Sequence, residues 1–218
     1  MRDQRKLKNS TLRAINIRQL KPNDSGDSVF HIFERLNTGG TRLKPQEIRN
    51  AVYRGEVVTN LKKLNLDENW QKILGLKRPD KSQKDVELVL RLFSLFEDWE
   101  NYEKPMLTHL NRFMKKNSAF DSDAAKRFSI RFKETVELVA SAFQSPFRPR
   151  GVINSAVLEA VMVVLLEHPE IQKSELIGRY QNLINNGEFL NLITGGTTDT
   201  ATLHNRIKLA NRILTNAP

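Results

Sequence analysis

Asn154–Leu166 (NSAVLEAVMVVLL) is the most apolar stretch of the chain. A helix of this composition has almost no polar face to offer water, so it belongs at the centre with other helices around it. Glu159 interrupts the run and Glu167 ends it, which leaves it short of the roughly 20 apolar residues that a membrane span needs. The clearest of the surrounding helices is Asp85–Trp99, where Val86, Val89, Leu90, Phe93 and Phe96 recur at helical spacing. Arg91 falls among them. An arginine so placed either snorkels or meets a buried carboxylate, and pairing is the expectation here rather than catalysis.

Further helices are predicted over Val57–Leu64, Glu68–Leu74 around Trp70, Pro105–Lys116, Asp121–Phe143, Ser174–Leu183 and Thr200–Leu214, while Asn185-Asn186-Gly187 turns the chain and Phe189–Ile193 packs back. Asp121 or Ser122 caps one of them, and Asp199 or Thr200 another. Gly75–Lys84 reads as an exposed loop and Ser145–Gly151 as a rigid break. Leu12–Arg18 alternates apolar and polar residues, the pattern of one short strand. A lone strand leaves its edges unpaired, so this one calls for a partner from outside these residues. The expected fold is mainly α, a multi-helix domain of roughly eight to ten helices with one short N-terminal strand. Three segments follow: 1–26, a basic arm and strand; 27–75, a helix–turn–helix region; and 76–218, a helical domain.

Local chemistry is densest over Phe30–Gly55 (FHIFERLNTGGTRLKPQEIRNAVYRG). Phe30, Phe33 and Leu36 form an apolar helical face that stops at Asn37-Thr38-Gly39-Gly40. A second helix restarts with Pro45 in its first turn, buries Ile48, Ala51 and Val52, and ends at Gly55. Glu34, Arg35, Asn37, Arg42, Glu47, Arg49 and Asn50 are thereby presented around one turn. Backbone N–H groups at Gly39 and Gly40 can face a phosphate, and the helix N-terminus that follows adds a positive dipole. The Asn amide and nearby carboxylates could hold a magnesium ion or a sugar hydroxyl. The competing reading is a helix–turn–helix corner whose Asn and Gly only make the turn. Thr194–Asp199 is a second glycine turn before a helix, and a simple cap is the expectation there.

Charge and composition narrow the function classes. The net charge is +10, and Arg2, Arg5, Lys6, Lys8, Arg13 and Arg18 crowd the first twenty residues against Asp3. Such an arm favours polyanions, and with loop residues Arg148 and Arg150 it makes DNA a candidate partner. There is no cysteine, hence no disulfide or thiolate chemistry, in keeping with a reducing cytoplasm. The basic N-terminus precedes no apolar signal region. The four histidines lack metal-ligand spacing, and no Walker loop, Ser-His-Asp arrangement or His-Asn-His nuclease pattern occurs.

The segment RLNTGGTRLKPQEIRNAVYRG resembles the Phe–x–x–x–Asn–x–Gly–Gly–x–x–Leu–x–x–x–Glu–Ile–Arg–Asn–Ala segment of the GmrSD-type restriction endonuclease N-terminal domain family. The likeness extends to LRAINIRQ before it and to DVELVLRLFSLF, LNRFMKKN, FRPRGVINSAVLEAVM and LHNRI after it, so it covers most of the chain. That family is similar to ParB and sulfiredoxin and is associated with NTPase activity in defence against modified foreign DNA. Its third ParB-like box has Asn followed by Leu, Pro and Glu, here Asn37, Leu43, Pro45 and Glu47. The resemblance implies that Asn37, Glu47 and Glu34 contribute to nucleotide and magnesium contacts, with Asn37 and Glu47 as metal ligands. It also implies that Gly39, Gly40 and Arg42 shape the nucleotide site. ParB places a Glu directly before the Asn, where this chain has Leu36. The family's Asp-Gly-Gln-Gln-Arg motif does not occur in these residues. The expectation is therefore the C-terminal portion of such a domain, with a ParB-like N-terminal portion or split subunit, and a nuclease subunit or domain, as partners. Alone, it should be incomplete as an NTPase. The alternative is a non-enzymatic helical module that binds DNA or a protein.

Overall fold

Asn154 opens the central helix by accepting the Ala156 and Val157 N–H groups on its Oδ1 at 2.9 and 3.2 Å. The eleven residues Ala156–Leu166 are all buried. The computed structural model describes residue 11, residues 27–36 and residues 42–216. Among these are eleven α-helices and no strand. The expected strand Leu12–Arg18 and the basic arm lie outside the described residues. In chain order the helices are α1 (Asp27–Leu36), α2 (Pro45–Val52), α3 (Glu56–Asn65), α4 (Glu68–Leu74), α5 (Lys84–Asp98), α6 (Met106–Lys116), α7 (Asp123–Ala142), α8 (Ser155–Glu167), α9 (Lys173–Ile184), α10 (Gly187–Leu192) and α11 (Thr200–Thr215). No described helix is long and apolar enough to cross a membrane.

Helix α8 is surrounded by α5, α7 and α11, which satisfies its all-round apolar surface. Aromatic contacts join the shell. Phe93 of α5 stacks on Phe128 of α7 at 4.7 Å and meets Phe113 of α6 edge-on at 4.8 Å. Trp70 of α4 meets Phe132 of α7 edge-on at 5.4 Å. These geometries suit the ring quadrupoles and add to area burial. The Trp70 indole N–H donates to Asn65 Oδ1 at 3.0 Å, and the Asn65 amide donates to buried Asp85 Oδ2 at 2.9 Å. Asp85 also accepts the Asp80 N–H at 2.9 Å, which ties the polar loop before α5 to the core.

Local chemistry sets the helix ends. Asp67, Ser122 and Asn186 cap α4, α7 and α10 through side-chain oxygens. Gly75 ends α4 at φ 72°, where its N–H and that of Leu76 reach back to Lys72 and Gln71 carbonyls. Gly55 has a different role from the expected one. Helix α2 stops at Val52, and Gly55 stands at the start of α3. A Cβ there would lie 2.5 Å from the Ser118 carbonyl oxygen, which accepts the Val57 N–H at 3.1 Å.

Gly55→Ala should therefore force the α3 start away from the Ser118 carbonyl and destabilise the fold by about 1–3 kcal/mol, as overpacking does. A urea titration should show a lower midpoint with an unchanged slope.

Candidate functional site

The interior holds an alternating ladder of charge. Arg49 of α2 donates from NH1 to Glu87 Oε2 at 2.9 Å. Arg91, one turn along α5, donates to Glu87 Oε1 from NH2 at 3.0 Å and from Nε at 3.3 Å. Its NH1 donates to Glu159 Oε1 on α8 at 3.0 Å. Glu159 Oε2 accepts from Arg206 NH2 on α11 at 3.4 Å. Arg49, Glu159 and Arg206 are buried, and Glu87 and Arg91 are each 20% exposed. Arg91 is thus paired with carboxylates, as its apolar setting required.

Each rung also positions a neighbouring segment. Arg49 donates to Asn111 Oδ1 at 3.0 Å and to Gln46 Oε1 at 2.9 Å, and its guanidinium lies 5.8 Å from the centre of the Phe30 ring. The Phe30 ring is fully buried, so a cation–π contact helps to seat α1. At the far end Arg206 NH1 donates to the Thr197 carbonyl at 2.8 Å, and the Tyr102 hydroxyl to that of Thr198 at 2.7 Å. Burial, with Glu159 nearby, pushes Tyr102 up to about 12. The second glycine turn is therefore bound from inside. Asp199 stands in the cap position without a side-chain bond to α11. Its carboxylate instead lies close over Gly196 and meets Lys104 Nζ at 2.8 Å. Burial works against charge on Glu87, but Arg49 and Arg91 outweigh it and hold its pKa below the usual value. Arg49 and Arg206 are lowered by burial, against the pull of Glu87 and Glu159.

Where α2, α5 and α8 begin, a cleft of about 370 Å³ opens beside the ladder. Lys44, Ser82, Lys84, Glu87, Arg91 and Ser155 supply its polar lining. Lys44 and Lys84 are exposed, and Lys84 lies near enough to Asp80 for its charge to help lower that carboxyl's pKa. In sequence, Lys44 follows Gly40 of the predicted motif by four positions.

The predicted site residues divide. Asn37, Gly39 and Gly40 lie outside the described residues, as do Arg2, Arg5, Lys6 and Lys8. Glu47 Oε2 accepts the Lys44 backbone N–H at 2.7 Å and so caps its own helix. Glu34 is exposed and faces His31 Nδ1 at 3.3 Å, and Arg42 is exposed. Arg49 corrects an expectation: it is buried in the ladder instead of being presented at the turn. Arg148 donates to the carbonyls of Pro146 at 2.8 Å and Ile73 at 3.1 Å, and Arg150 reaches Thr194 Oγ1 at 3.4 Å. Phe33, Leu36 and Leu43 leave an exposed apolar edge beside the motif.

The donor set in the cleft suits an anion. Its one carboxylate, Glu87, has both oxygens engaged by arginines, and Glu47 is held by its own helix. These groups do not fit a magnesium ion by themselves. Among the described residues no cluster of three or more His, Asp or Glu side chains could hold a metal.

Two predictions follow from the buried charges. Glu159→Leu leaves Arg206 without a carboxylate and Arg91 with Glu87 alone, and should cost about 3–5 kcal/mol in chemical denaturation, the loss typical of a broken buried pair. His109, on α6, meets Tyr102 edge-on at 5.0 Å. Burial, with Arg112 adding to it, lowers its pKa from 6.5 to about 4. The unfolded ring therefore takes up a proton that the folded ring refuses, and stability falls as pH drops from 6.5 towards 4. His109→Phe should flatten that part of the pH–stability curve, by roughly 3 kcal/mol at about 1.4 kcal/mol per pH unit.

The chain matches no protein-family model, no curated protein and no solved structure.

Proposed function

We propose that this chain is the helical part of a ParB-like nucleotide-handling domain of the GmrSD type, acting in restriction or phage defence. The observation that carries this reading is the basic cleft of Lys44, Lys84 and Arg91, which adjoins the Asn37–Gly40 motif in sequence. A glycine pair that lets a phosphate approach backbone N–H groups is chemically matched to cations just downstream of it. Asn37, Gly39, Gly40 and Arg42 would then contact the nucleotide, while Glu47 fixes the start of α2 from beneath. Magnesium would arrive with the nucleotide, and the Asp-Gly-Gln-Gln-Arg element would come from outside these 218 residues. Phosphoryl transfer depends on positioning and charge neutralisation, so the helical part alone binds weakly and turns over little. Cutting of DNA would fall to a nuclease partner.

The test is titration of a fluorescent ATP or GTP analogue into the pure chain. Asn37→Ala should weaken binding by about fivefold or more, a coupling of roughly 1 kcal/mol, with the helical circular dichroism unchanged. Glu47→Gln, which keeps a cap acceptor, serves better than Glu47→Ala, which would also loosen α2. An affinity indifferent to Asn37 would sink the nucleotide reading. Brisk hydrolysis by the pure chain, abolished by Asn37→Ala, would show that the site is not partial.

A further inference from the structure

The ladder contains three arginines and two glutamates, Arg49–Glu87–Arg91–Glu159–Arg206. It therefore carries one positive charge more than its partners cancel, in surroundings where an unmatched charge is costly. The part of the ladder that reaches solvent is its middle, where Glu87 and Arg91 form one wall of the cleft. Arg91 donates three of the five N–H groups of a guanidinium to carboxylates. Among the described residues, one N–H on each terminal nitrogen has no acceptor. The exposed cation Lys84 stands on the same face of α5 as Glu87 and Arg91, and Lys44 and Ser155 complete the lining from the starts of α2 and α8.

Nothing in the lining repels an anion from a free carboxylate. Glu87 is bound on both oxygens, and nearby Asp80 is bound by the Ser82 N–H at 2.9 Å and hydroxyl at 2.8 Å. Nor do helix ends carry the case, since the first free amides of α8 are already taken by Asn154. The attraction comes from side chains. The remaining walls include Pro45 and Leu88, and no aromatic ring lines the cleft on which a base could stack. A volume of about 370 Å³ is at the small end for ligand pockets.

We propose that this cleft is a polyphosphate site that the chain carries by itself, with Lys44, Lys84, Arg91 and Ser155 holding the oxyanions and no group reading the base. The proposal rests on the nucleotide reading only for the identity of the natural ligand. The bound anion supplies the negative charge that the ladder lacks, so ligand binding and fold stability are linked.

The experiment is calorimetric titration of the pure chain with inorganic tripolyphosphate, with ATP and adenosine in parallel, supported by thermal denaturation. Tripolyphosphate should bind one to one and raise Tm, and adenosine should not bind. Lys44→Ala/Lys84→Ala should lower the affinity at least tenfold. Lys62→Ala/Lys63→Ala, which removes the same charge from exposed positions on α3, should leave it within twofold. Equal losses in the two double variants, or no saturable binding, would overturn the site in favour of general charge attraction. Binding of ATP that needs Asn37 but ignores Lys44 and Lys84 would also overturn it, while leaving the nucleotide reading standing. Tripolyphosphate binding that needs the two lysines, with ATP no tighter and Asn37→Ala silent, would keep this site and remove the nucleotide reading.

Discussion

Five charges in an interior otherwise built from Val, Leu and Phe determine how four helices meet. Arg49, Glu87, Arg91, Glu159 and Arg206 join α2, α5, α8 and α11 in a single line of ion pairs. Packing alone would leave α8 free to rotate, because nearly every side of it is apolar and buried. Glu159 removes that freedom, since only one rotation brings its two oxygens to Arg91 and Arg206 together. Ion pairs of this kind add little net stability over apolar replacements, but they are severe on misalignment. Their contribution here is to register.

The same line reaches from α1 to the second glycine turn. Arg49 touches Phe30 and Asn111 at one end, and Arg206 holds the Thr197 carbonyl at the other. Between them the exposed edge of Glu87 and Arg91 gives the cleft its charge. Cleft and distal turn are thus parts of one electrostatic body, even though the residues span positions 49 to 206.

Much of the fold could be read locally. Glu68–Leu74 was expected as a helix and is one, and Ser122 and Asn154 cap α7 and α8 because short polar side chains before an apolar run favour that role. Local patterns could not say which face of α2 is buried. Arg49 reads as presented at the turn, yet it is buried, because its partners Asn111 and Glu87 lie 62 and 38 positions away. A signal was present: Arg91 and Glu159 are opposite charges in the two most apolar helices, which predicts a pair. Arg206, flanked by Leu203, Ile207 and Ala210, extends the same logic. The cleft was out of reach, since Lys44, Lys84 and Ser155 converge only when three helix starts are placed side by side.

The seam at Gly55 bears on how the molecule is assembled. The first turn of α3 rests on the carbonyl of Ser118, and Trp70 of α4 lies against Phe132. Both partners are made later. As the chain emerges from the ribosome, α3 finds α5 first, whereas α4 has its apolar face complete before its main partner α7 has followed. Trp70 therefore stays uncovered until Phe132 is made, some sixty residues later in the chain.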